Sequence, residues 1–146
     1  MTSKNAMNKK SVLVLALGMV LAGAAAAQVA VIVNPKNPAA SMTADQVSNI
    51  FLGKSNTLPS GATAAAVDQA ESAAVREQFY SKVTGKQSAQ VKAAWSRLVF
   101  SGKATPPKEL ASSAEVKKFV AANPDAIGYI EKSAVDGSVK AVLTVD

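Results

Sequence analysis

The residues best placed for chemistry in this chain lie between Val67 and Tyr80, VDQAESAAVREQFY, where a short apolar run passes into a helical pattern. A strand feeding a helix in this way makes a natural anion site. The first-turn N–H groups of a helix have no intrahelical acceptor, and the macrodipole adds about half a positive charge there. The side chains at that mouth are Gln69, Glu71, Ser72, Ala73, Ala74, Val75 and Arg76, and together they are the candidate ligand-binding set. Two readings apply. In one, Ser72 caps an ordinary helix and Glu71 sits favourably against the dipole. In the other, backbone N–H groups, Ser72 and Gln69 hold an oxyanion weakly, against competition from the Glu71 carboxylate. Arg76, a turn further on, reads as a surface or ion-pairing residue.

Other chemistry is restricted by what the chain lacks. It contains no His and no Cys, so the commonest zinc sites, Cys-His dyads and Ser-His-Asp triads are unavailable, and no metal or cofactor is expected. Asp68 and Glu71 are a poor carboxylate pair for glycoside hydrolysis, because they share one local turn with no aromatic sugar platform nearby. A non-enzymatic protein is the expectation.

The elements that position these residues follow from periodicity. Val29 to Val33 is a continuous β-branched run, the pattern of a strand buried on both faces as in a parallel sheet. Asn34 to Pro38 stops it. Thr43 and Gln46 form a capping box, Val47, Ile50 and Phe51 share one helical face, and Gly53 closes the helix. Ala64 to Val67 predicts a second strand and Ser72 to Val83 a second helix, ended by Thr84 and Gly85. A third helix starts near Ser88 with a buried stripe of Val91, Ala94, Trp95 and Leu98. Trp95 is read as core, with ligand stacking or partner docking as the alternative. Gly102 to Pro107 breaks that helix. Ser112 and Glu115 suggest another capping box, opening a helix with Val116, Phe119 and Val120 inside. Ala126 to Ile130 and Val139 to Val145 read as strands separated by a turn, and Gly128 marks a strand passing close to other backbone. Strands alternating with helices imply an α/β layer fold with a mostly parallel sheet.

Residues 1–27 have the pattern of a cleavable export leader. Lys4, Lys9 and Lys10 form a basic start, Ser11 to Ala22 an apolar stretch, and Gly23 to Ala27 a small-residue cleavage region, leaving a single domain over 28–146 that begins with Gln28. Without Cys there is no lipid attachment site, so the expected location is periplasmic or secreted. The leader holds three lysines and no acids, so the formal charge of +6 falls to +3 without it. No basic run with interleaved aromatics remains to bind nucleic acid.

Four segments in order resemble the phosphate-binding proteins of bacterial ABC transporters: VNPKNP at Val33 to Pro38, SMTADQVSNIFLGK at Ser41 to Lys54, REQF at Arg76 to Phe79, and AIGYI at Ala126 to Ile130. The resemblance implies a single periplasmic-binding-protein-like lobe, with a mostly parallel sheet of four to five strands and helices packed on both faces. In that family the phosphate loop reads approximately R-x-D-G-S-G-T-R-E-x-F, its Arg, Asp, Ser, Gly and Thr touching the ligand. Aligning on Arg76, Glu77 and Phe79 puts Gln69 at the Arg, Glu71 at the Asp and Ser72 at the first Gly. Ala73 then stands at the Ser, Ala74 at the second Gly and Val75 at the Thr. A guanidinium has become a neutral amide, and two hydroxyls have become methyl-bearing side chains. Each lost charge-assisted bond costs on the order of 1.5 to 3 kcal/mol, and losing three weakens binding by several powers of ten. The resemblance therefore implies a substrate-binding-like protein with at most weak phosphate-like binding. The alternative is an accessory protein that docks on an ABC permease, a sensor or an outer-membrane channel, or pairs as a homodimer.

Overall fold

The computed structural model describes residues 28–146; the expected leader lies outside them. β1, Val29–Val33, is buried along its whole length. Val29, Val31 and Val33 face one core and Ala30 and Ile32 the other, as the period-2 alternation of a strand requires. Two-sided burial is what its sequence predicts, but the pairing is not the expected one. β1 lies antiparallel to both its neighbours, β4 (Ala126–Glu131) and β5 (Lys140–Val145). The other interior pairings are parallel: β2 (Ala65–Gln69) runs with β4 and with the edge strand β3 (Lys108–Leu110). The sheet order is β3-β2-β4-β1-β5, with four strands running one way and β1 opposing them. The link from β4 to β5 recrosses the sheet as a 3-10 turn, Lys132–Ala134, and its Ala134, Val135 and Val139 join the second core.

Helices cover both faces. On one side lie α1 (Ala44–Phe51), α2 (Ala74–Phe79) and α3 (Ser88–Phe100); on the other lies α4 (Ser113–Ala122). The Thr43 capping box forms in full: Thr43 Oγ1 accepts from the Gln46 amide at 3.1 Å, and Gln46 Oε1 accepts from the Thr43 amide at 2.9 Å. Gly53 follows α1 with φ of +76°, and an added Cβ would meet Leu98 Cδ1 at 2.7 Å, so both backbone and packing favour glycine there. Trp95 is core, as its stripe predicts, and its indole N–H donates to the Phe51 carbonyl at 2.8 Å, tying α3 to the end of α1.

Three local expectations change. α2 starts at Ala74 rather than Ser72, and it runs on into a π-helical turn, Tyr80–Thr84, that ends at Gly85 with φ of 71°. The wider i→i+5 turn keeps Tyr80 and Val83 in the core with Phe79. At α4 only half of the capping box is made. Ser112 Oγ accepts from the Glu115 amide at 3.3 Å, while Glu115 Oε2 reaches one residue further back to the Ala111 amide at 3.0 Å. Gly128 does mark a close approach, but to side chains: an added Cβ would lie 2.7 Å from Val116 Cγ1 and 2.9 Å from Val67 Cγ2. β3 was not foreseen, because a three-residue edge strand behind two prolines carries no alternation to read.

Candidate functional site

β2 ends where the candidate loop begins, and its pleat sends consecutive side chains to opposite faces. Asp68 turns toward the aromatic core under α2. There its Oδ2 accepts from the Tyr80 hydroxyl at 2.5 Å, while its Oδ1 accepts from the Tyr129 hydroxyl and from the Gln69 amide, the latter at 2.8 Å. Tyr129 is itself held by face-to-face stacking on Phe79, ring centroids 4.1 Å apart. Gln69 turns the other way, and its Nε2 donates to the Tyr129 carbonyl at 2.9 Å and to Ser113 Oγ at 3.0 Å.

Arg76 completes the cluster. From the first turns of α2 its Nη1 donates to the Gln69 carbonyl at 2.8 Å and lies 3.6 Å from Asp68 Oδ2, and its Nε donates to Ser88 Oγ at 3.0 Å. The guanidinium also sits 5.4 Å from the Tyr80 ring centroid and 4.0 Å from Glu109 Oε2. It pairs ions, as one sequence reading has it, but it does so buried rather than at the surface, only 6% exposed. The result is a buried polar knot that joins β2, β4 and the starts of α2 and α3.

Burial raises the ionisation of Tyr80 and Tyr129 far above the ordinary tyrosine value, and the neighbouring Asp68 charge and its hydrogen bonds raise it further. Both phenols therefore stay protonated donors. No buried side-chain polar atom among the described residues lacks a partner, and none of their acidic groups forms a cluster able to hold a metal ion. A fully satisfied network of this kind rigidifies the fold around it.

The predicted ligand residues are adjacent in the fold but unlike in role. Gln69 and Arg76 are buried and committed to the knot; Val75 packs in the core. Glu71 is exposed, and its carboxylate is held below the usual range by a 2.8 Å hydrogen-bonded ion pair with Lys92 and by that lysine's charge. Ser72 and Ala74 are exposed and Ala73 is half-buried. Ala73, not Ser72, occupies the cap position, and no side chain caps this helix. The Arg76 amide bonds to the Ala73 carbonyl at 3.1 Å, whereas among the described residues none accepts from the amides of Ala74 and Val75. Asp68, Tyr80, Ser88, Glu109, Ser113 and Tyr129 were absent from the sequence-derived set. Asp68 and Ala66 share one strand face, and Tyr80 follows Arg76 by four residues, so part of the cluster was signalled by spacing.

Beside this loop an open cleft of about 420 Å³ is bounded by Glu71, Arg76, Lys92, Trp95, Phe100 and Glu109 among others.

No family model and no curated protein matches the sequence. Solved structures do. A protein from Clostridium perfringens described as a phosphate ABC transporter substrate-binding protein, solved with bound phosphate, matches with a TM-score of 0.65 and 26% identity over 80% of this chain and 45% of that one. An ABC-type phosphate transport receptor from Vibrio cholerae matches with a TM-score of 0.64 and 25% identity, over 80% of this chain and 46% of its own. PstS from Borrelia burgdorferi shares the fold at a TM-score of 0.59 and 14% identity. The chain spans less than half the length of these proteins. The chain is thus similar, at 25–26% identity and over less than half of their length, to substrate-binding proteins of phosphate ABC transporters.

Proposed function

We propose that this chain is an exported, non-enzymatic, substrate-binding-like protein whose remaining ligand chemistry is weak oxyanion binding at the mouth of α2. The observation that carries the reading is the uncapped helix start, where the Ala74 and Val75 amides have no acceptor among the described residues, beside the exposed Ser72 hydroxyl. The side chains that would add grip are engaged elsewhere, Gln69 with Tyr129 and Ser113, and Arg76 with Asp68 and Ser88. Glu71 stands at the same mouth and opposes an anion, although Lys92 offsets its charge. Affinity is accordingly in the millimolar range, a binding free energy of about 4 kcal/mol. Calorimetric titration with phosphate, sulfate and small carboxylates tests this. Heat at millimolar ligand that grows in Glu71→Gln supports it; no heat at millimolar ligand removes the anion role.

A second reading, docking on a permease, sensor, outer-membrane channel or second copy, is favoured by one surface feature. At the end of α3 the Phe100 side chain is 97% exposed beside a half-exposed Val99. Contiguous exposed apolar surface is a mark of interaction sites. Sedimentation separates the homodimer from the monomer. If Phe100→Ser, still folded, is retained by membrane extracts as well as the parent protein is, this reading fails.

A further inference from the structure

Adjoining the Glu71 cleft, with which it shares Trp95, Pro106 and Pro107, is a larger groove of about 690 Å³ bounded by the end of α1, the first half of β2 and the segment Lys103–Lys108. Its origin is visible in the sequence. Ala64, Ala65 and Ala66 carry only a methyl each, and Pro106 and Pro107 have no amide with which to extend β3. β3 consequently joins β2 only from Val67 onward, and among the described residues no strand pairs with Ala65 and Ala66 on that side, although both pair with β4 on the other. The sheet edge is left hollow there, with strand backbone in its floor.

The lining is chemically one-sided. Lys54, Lys103 and Lys108 border the groove and no carboxylate does. Among the described residues none of these three lysines has an acidic partner within ion-pair distance, whereas Lys92 and Lys117 each have one. Lys108 Nζ lies 5.3 Å from the Phe119 ring centroid. Ile50, Trp95 and the alanines add apolar lining to the same groove. Inorganic phosphate is far too small for this volume, and a neutral hydrocarbon would leave three cations unused. An apolar cleft of this size with a few charged and backbone polar groups is the usual form of a small-molecule site.

We infer that this groove binds an organic anion with an apolar body, a carboxylate or phosphate ester whose charge meets Lys54, Lys103 and Lys108 and whose hydrocarbon or aryl part lies against Ile50, Trp95 and Ala64–Ala66. The site is separate from the α2 mouth, and neither reading depends on the other. Trp95 is the only tryptophan in the chain, so its emission reports directly on occupancy. The probes are octanoate and octyl phosphate, below their micelle concentrations, with octylammonium and inorganic phosphate as controls. A saturable emission change with either organic anion is expected, octanoate alone identifying a carboxylate ligand and octyl phosphate alone an ester. The variant K54A/K103A/K108A should weaken it about tenfold or more, and Lys92→Ala, on the neighbouring cleft, should leave it unchanged. The three lysines are exposed, and circular dichroism confirms that the variant is folded; the single changes Lys54→Gln and Lys108→Gln give a second, milder series. No saturable change, equal binding of octylammonium, the same change with inorganic phosphate alone, or undiminished binding by the triple variant overturns the assignment.

Discussion

Raising the pH should unfold this protein through its two tyrosines, which are the only ones in the chain and which both donate to Asp68. Burial first, and the Asp68 charge second, lift their folded-state ionisation far above the ordinary value of 10.0. In the unfolded chain they return to that value. A group with a raised folded pKa contributes stability that is fully present below its unfolded pKa and is lost as the pH climbs toward the folded one. Above pH ~10 the unfolded state therefore sheds two protons that the folded state keeps, and stability falls by about 2.7 kcal/mol per pH unit. For a domain with a stability of about 5 to 15 kcal/mol, unfolding follows about two or more units above that point. Tyrosinate absorbance and far-ultraviolet dichroism, followed together, should change in one cooperative step. In Tyr129→Phe the slope should drop to about 1.4 kcal/mol per pH unit, since one titrating phenol remains. Gradual tyrosinate formation near the ordinary value, with dichroism unchanged, would refute the buried donor geometry.

Three further outcomes follow from the packing. At neutral pH Tyr129→Phe keeps the ring stacked on Phe79 but removes one hydrogen bond to a charged acceptor, and urea unfolding followed by Trp95 emission should show a loss of about 1.5 to 3 kcal/mol. Gly128→Ala places a methyl within 3 Å of Val116 and Val67, and thermal unfolding should report about 1 to 3 kcal/mol of overpacking. Thr43→Ala removes the acceptor for the Gln46 amide and should cost about 1 kcal/mol by the same method, with no effect on ligand titrations.

What could be read from sequence was whatever a single element decides for itself. Thr43 and Gln46 lie three residues apart, and the Val91 to Leu98 stripe repeats with helical period, so α1 and α3 were legible. The direction of β1 was not, because five β-branched or small apolar residues look the same whether the neighbours run with or against them. The same limit explains the candidate site. Gln69 to Arg76 do adjoin one another between β2 and α2, but the partners of Asp68 and Gln69 come from Tyr129 and Ser113, 61 and 44 residues away. A buried network of that kind depends on which faces meet, and local spacing cannot supply that.

The position of β1 in the sheet also governs when the protein can fold. Val29–Val33 finds its hydrogen-bonding partners in Ala126–Glu131 and Lys140–Val145, roughly a hundred residues later. Until those segments have emerged, its buried residues have no strand on either side. Closing so long a loop makes the contact order high and folding slow. A growing chain therefore keeps its sheet open until both β4 and β5 have been made. That delay leaves β1 an unpaired apolar segment, open to wrong pairings until its partners arrive.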